Sequence, residues 1–154
     1  MDNHTIVERK SDREIMVTRT FNAPPRIVFE AWSKPELFRR WWVPKSLGMS
    51  LLSCELDVRT GGSYRLVFDL GESKTMAFFG KYLEVTPPSR IVWTNEESEE
   101  GAITTVTFEE KDGKTLLVLH ELYASKEAFE IAGGMESGLP ESFGQLDELL
   151  AALG

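Results

Sequence analysis

Cysteine, histidine and positive charge are all scarce in this chain of 154 residues, which has one cysteine, two histidines, and 17 Lys and Arg against 25 Asp and Glu. A lone cysteine, Cys54, excludes an intramolecular disulfide. In L-L-S-C-E-L it has no basic neighbour to favour a thiolate, so it reads as a small buried side chain rather than a nucleophile. His4 sits in the polar start of the chain, which leaves His120 alone; no two-histidine metal site can form, and no metal is expected. The net charge of −8 comes without any Lys/Arg cluster to track phosphates, so neither nucleic acid nor an anionic membrane surface is expected as a partner. No apolar run approaches the roughly 20 residues of a membrane span. The opening M-D-N-H-T-I-V-E-R-K has no signal-peptide core, and cytoplasmic residence is the expectation. Gly61-Gly62 lie between two strands, where they serve a turn and not a phosphate cradle; no serine stands in a nucleophile elbow, and no cofactor is expected.

Aromatic residues, by contrast, are concentrated. Phe21 to Trp42 (F-N-A-P-P-R-I-V-F-E-A-W-S-K-P-E-L-F-R-R-W-W) holds Trp32, Trp41 and Trp42, three of the four tryptophans. So many rings must build a core or line a pocket, because leaving them in water is costly. Pro24-Pro25 open a helix running to about Trp32. Ser33 is placed to cap a second helix, with Pro35 and Glu36 in its first turn, that ends before Pro44. Of the Trp41-Trp42 pair one ring is expected to plug the core and the other to reach a pocket mouth or a partner.

The rest of the pattern is β, then α. Glu14–Phe21 reads as a first strand after a patternless lead-in over residues 1–12. Six more strands follow between Leu51 and Leu122, separated by turn signals of which Lys111-Asp112-Gly113-Lys114 is the strongest. Asp57 and Arg59, beside the Gly-Gly turn, suit a rim ion pair, and the acidic run Glu96–Glu100 suits a solvated hairpin tip. Apolar positions from Met135 through Leu139, Phe143, Leu146 and Leu150 recur at helical spacing, predicting a long helix from about Met135, with Pro140 kinking it or marking its start. One domain follows: an α+β fold in which a curved, seven-stranded antiparallel sheet grips the last helix and encloses a cavity against it. Alternation turns Tyr64, Leu66 and Phe68 inward, with Val106 and Phe108; Phe78/Phe79 and Leu116–Leu119 are apolar on both faces, and alternation cannot orient them. The candidate ligand lining is completed by Trp42, Phe78, Trp93, His120, Met135, Leu139 and Phe143. His120 would be the general base of any catalysis if it faced the cavity, although alternation sends Glu121 to the other face. The second apolar face of Leu116–Leu119 suggests a homodimer packed there.

These residues resemble a known family. R-T-F-N-A-P at Arg19–Pro24, V-F-E-A-W at Val28–Trp32 and P-E-L-F-R-R-W-W-V-P at Pro35–Pro44 are similar to motifs of the START-like superfamily (SRPBCC, the Bet v 1 helix-grip fold). The match continues through D-V-R-T-G-G-S-Y at Asp57–Tyr64, G-K-Y-L-E-V-T-P-P-S-R-I-V-W at Gly80–Trp93, T-T-V-T-F-E at Thr104–Glu109 and L-D-E-L-L at Leu146–Leu150. Within the superfamily the chain looks like the branch related to the activator of heat-shock-protein-90 ATPase. Two departures stand out: there is no room for the additional N-terminal domain of the large activators, and Ser142-Phe143 stands where many relatives have Gly-Trp. The resemblance implies a helix-grip fold; the apolar pocket expected from alternation, beside no convincing nucleophile, metal or cofactor signature, makes the leading function non-catalytic binding of a small hydrophobic or aromatic molecule that is lipid-, polyketide- or flavonoid-like. The alternatives are a polyketide cyclase or dehydratase, and a chaperone co-factor or other protein-interaction module; a chaperone partner is the weaker expectation without the extra domain.

Overall fold

Proline placement shapes the first third of the chain. The computed structural model describes residues 5–48, 50–96, 101–131 and 139–153. Strands β1 (Ile6–Arg9) and β2 (Glu14–Phe21) lead to helix α1 (Pro25–Ser33) and the single turn of α2 (Pro35–Phe38). Pro24 takes an extended backbone (φ −70°, ψ 157°) and Pro25 opens α1, where its missing N–H costs nothing. Lys34 is also extended (φ −95°, ψ 120°), because the residue before Pro35 is pushed out of the helical region, and so α1 ends at Ser33. Ser33 therefore does not cap α2: its hydroxyl donates back to the Glu30 carbonyl at 3.4 Å. The second helix also stops earlier than expected, at Phe38, and the chain continues through turns and one 3-10 turn at Lys45–Leu47.

A meander then builds most of the sheet: β3 (Ser50–Leu56), β4 (Ser63–Gly71), β5 (Lys74–Thr86), β6 (Arg90–Thr94), β7 (Ile103–Lys111) and β8 (Lys114–Leu122). Helices α3 (Lys126–Ile131) and α4 (Leu139–Leu153) follow. The antiparallel sheet has the order β1-β2-β8-β7-β6-β5-β4-β3, so the α1–α2 segment crosses from one side of the sheet to the opposite edge. Eight strands stand where seven are expected. The additional one is β1, inside the stretch read as a lead-in, with Ile6 opposite Thr18 and Val7 opposite Val17. Its Arg9 guanidinium lies 4.8 Å over the ring of Phe129 in α3, a helix too short for periodicity to reveal. The last helix begins at Leu139 and not at Met135; Pro140 falls in its first turn, the position a proline tolerates. Met135 lies outside the described residues.

α4 buries a stripe of Leu139, Phe143, Leu146, Leu149 and Leu150 at three- and four-residue spacing. Phe143 meets Phe21 of β2 edge to face at 5.5 Å. Arg19 of β2, largely buried, pairs with Asp147 of α4 and donates to the Thr5 hydroxyl at 2.7 Å. A second set of polar contacts ties the start of α4 to the chain after α2. Gln145 Nε2 donates to the carbonyls of Trp41 and Val43, both at 2.8 Å, and its Oε1 accepts from Lys45 N–H at 2.8 Å. The Ser142 hydroxyl donates to the Trp42 carbonyl at 2.7 Å, and Glu141 accepts from both the N–H and the hydroxyl of Ser46. Those hydroxyl and backbone bonds hold the Glu141 carboxyl below the ordinary carboxylate range.

Replacing Gln145 with leucine, a comparably good helix former, removes three hydrogen bonds at once. Loss of about 2–3 kcal/mol in denaturant unfolding is expected at a net value of about 1 kcal/mol per bond. An unchanged midpoint would show that the tie contributes nothing.

Candidate functional site

The aromatic segment folds around Trp32. Six rings stand within 4.8–6.4 Å of it: Phe38 of α2, Trp41 and Trp42 of the following turn, Trp93 of β6, Phe108 of β7 and Phe143 of α4. Most of these contacts are edge to face, the arrangement that the ring quadrupoles favour. The tryptophan pair divides its work. Trp41 is fully buried, and its indole N–H donates to the Ala31 carbonyl at 2.9 Å. Trp42 is half-buried and stacks on Phe38 at 4.9 Å.

The inward residues of the sheet gather on the concave side, but with unequal cover. Val106, Phe108 and Phe143 are sealed in the core, and Leu66 and Phe68 are nearly so. Leu139 and Tyr64 keep only a sliver of surface, and the Tyr64 hydroxyl donates to the Thr94 carbonyl at 2.7 Å. Phe78 and Trp93 are half-buried. Register resolves the orientation that alternation leaves open in β5: Phe78 stands opposite Leu66 and Met76 opposite Phe68, which puts both on the concave face, while Phe79 pairs with the exposed Arg65. Leu51, Cys54 and Leu56 of β3 stand opposite Phe68, Leu66 and Tyr64 and extend the same surface. Met76 keeps 46% of its surface. The concave face over β3, β4 and β5 is thus an apolar floor only partly covered, with Trp93 reaching it through Tyr64 at 6.4 Å. Met76 escaped the sequence reading because alternation could not orient the Phe78/Phe79 strand, and Leu51 because a register shift between Leu51 and Ser53, invisible to strict alternation, brings it onto the face of Cys54 and Leu56.

His120 does not belong to this surface. In β8 it alternates with Leu117 and Leu119, which are in the core, and so shares the outer face with Leu116 and Val118. There it meets the Glu14 carboxylate at 3.1 Å. Bonds from Ser11 and from His120 lower the Glu14 carboxyl. The expected general base is therefore removed from the cavity side by the thickness of the sheet. Cys54 is half-buried, its thiol 3.9 Å from the Pro35 carbonyl, and burial pushes it up to about 11 against a weaker opposing effect of Arg39. Burial also raises the Tyr82 phenol.

Beside the apolar floor, an open depression of about 780 Å³ lies at β3–β5, with Glu55, Asp57, Arg65, Lys81 and Glu96 among its walls. Of the expected lining only Tyr64 borders it; of its charges, Glu55, Arg65 and Lys81 come from the strands and Asp57 and Glu96 from the segments that follow β3 and β6. Asp57 holds the exposed Arg59 at 3.0 Å through both carboxylate oxygens, the rim pair expected there. Among the described residues no group of three His, Cys, Asp or Glu could hold a metal ion, and no helix is long and apolar enough to cross a membrane.

A thiol held near 11 is almost wholly protonated at neutral pH. The rate of Cys54 alkylation by iodoacetamide should keep rising about tenfold per pH unit from about pH 8 to about pH 10, where an ordinary thiol of 9.0 would already bend toward a plateau. A plateau in that range would contradict the buried thiol.

Comparison with known proteins places the fold. A model of the family described as activator of Hsp90 ATPase homolog 1-like protein matches residues 22–151. No curated protein matches the sequence significantly. A protein from Rhodobacter sphaeroides is 24% identical, with 97% of this chain and 99% of that one covered and a TM-score of 0.89. A Staphylococcus epidermidis protein solved by NMR is 28% identical over 96% of this chain and 94% of its own, with a TM-score of 0.80. An AHSA1-like protein from Aeromonas hydrophila is 17% identical over 90% and 95%, with a TM-score of 0.70. With a helix-grip architecture and a family model spanning all but its ends, the chain belongs to the activator of Hsp90 ATPase homolog 1-like family of the START-like superfamily.

Proposed function

We propose that the protein binds a small apolar or aromatic molecule against the concave face of β3, β4 and β5. The observation that carries this reading is the half-covered floor of Leu51, Leu56, Met76 and Phe78, with the half-buried Trp93 joined to it through Tyr64. These residues point to the same side as the core yet stop short of being buried by it. Covering one such side chain contributes about 1.5–3 kcal/mol, so a flat molecule spanning several of them gains useful affinity. The fold is one commonly found in ligand-binding or chaperone-associated proteins. Binding requires no nucleophile or metal. The cyclase alternative would need a base on this floor, and His120, its candidate, is held by Glu14 on the other face.

Met76 tests the site with little risk to the fold, since nearly half of its surface is already in water. Screened against flavonoids, fatty acids and aromatic polyketides, the protein should bind at least one class, and Met76→Glu should weaken that binding about tenfold or more while leaving the melting temperature almost unchanged. Equal binding by wild type and variant would place the ligand elsewhere, and failure of all three classes would remove the proposal.

A further inference from the structure

Trp32 is 3% exposed, and its indole Nε1–H is buried without a hydrogen-bond partner among the described residues. Its neighbour Trp41 shows what the fold does when it only needs to bury a ring: there the N–H reaches the Ala31 carbonyl at 2.9 Å. An orphaned buried donor costs about 1–3 kcal/mol, and phenylalanine would fill much of the same space without that cost. A polar atom left in this state is a feature to be explained.

The packing around Trp32 says from which side a partner could come. Of its six ring neighbours, Phe38, Trp41, Phe108 and Phe143 are buried. Trp42 and Trp93, at 5.8 and 6.0 Å, are the two that retain surface. Trp93 joins the floor of Met76 and Phe78 through Tyr64, at 6.4 Å, and Tyr64 lies two residues along β4 from Leu66, the partner of Phe78. The six rings around Trp32 are uncharged, and an ionised carboxylate or phosphate brought among them would lose its water.

We propose that the ligand is a neutral molecule carrying a hydrogen-bond acceptor, a ketone, ester or amide carbonyl oxygen, and that Trp32 Nε1–H donates to it. This rests on the concave-face reading above and adds a chemical class to it. The acceptor end passes between Trp42 and Trp93, and the apolar remainder lies on Phe78 and Met76. The same donor sets selectivity: a hydrocarbon of identical shape leaves Trp32 orphaned and binds more weakly.

A matched pair of probes separates the two levels. 2-Acetylnaphthalene and 2-ethylnaphthalene differ at the carbonyl and are otherwise close in shape. With ¹⁵N-labelled protein, and the Trp32 indole resonance identified from Trp32→Phe, the ketone should bind about tenfold tighter than the hydrocarbon and move the Trp32 indole proton downfield. Trp32→Phe, which keeps an aromatic ring but no donor, should bind both probes alike; if it fails to fold, the wild-type affinities and the assignment of the indole signal by NOEs to Trp41 still decide. Equal affinities, or a preference for the ketone that leaves the Trp32 indole unmoved, overturn the anchor while leaving an apolar site in place. An indole proton already shifted upfield by a ring face and indifferent to both probes overturns it as well. If neither probe binds, the anchor falls; the site beneath it falls only if flavonoids, fatty acids and aromatic polyketides fail as well.

Discussion

The structure depends on one ring. Trp32 ends α1, and through it meet the turn after α2, the sheet strands β6 and β7, and helix α4. Among the described residues no other side chain touches so many elements through aromatic contacts. Because five strands separate β2 from β3 in the sheet order, the segment between them must cross the concave side, and it needs an anchor midway. Proline fixes where α1 and α2 start, and Trp32 fixes where they lie. Truncating a ring so placed would open a cavity against six neighbours, the class of change that costs about 3–5 kcal/mol.

Around this centre the concave face divides into a sealed part and an open one. α4 meets β2 through Phe143 on Phe21 and through Arg19 with Asp147. Its first turns are tied by Glu141, Ser142 and Gln145 to residues 41–46. That tie fixes the backbone of Trp41 and Trp42, so that one ring is buried while the other remains at the boundary. The hydrophobic side chains of β3 to β5 beyond that boundary are floor without a full roof. A binding surface here is a consequence of how the helix is held, and not of any dedicated motif.

Much of this was legible in the residues. Strand β2 falls at Glu14–Phe21 as its β-branched pattern predicts, and Tyr64, Leu66, Phe68, Val106 and Phe108 face inward as alternation requires. Asp112 and Gly113 take the positive φ angles that an Asp-Gly hairpin demands. What escaped had little local signal. β1 is four residues long and α3 six, so both are recognisable only by what they pack on, Arg9 on Phe129. His120 and Phe78 lie on strands apolar on both sides, where only the register against a neighbour assigns a face. Gln145 and Ser142 read as ordinary polar helix positions, yet their partners are backbone carbonyls about a hundred residues away. The orphaned N–H of Trp32 is likewise a fact of packing, since the same sequence could have turned it toward a carbonyl, as it does for Trp41.

The central claim is that the half-covered concave face of β3 to β5 is where the protein meets its ligand. The most direct measurement is the set of intermolecular NOEs between a bound apolar aromatic molecule and the side-chain protons of the protein. The account predicts contacts to the Met76 methyl and to the rings of Phe78, Trp42 and Trp93 together. Contacts confined to Leu116 and Val118, on the opposite face of the sheet, would contradict it.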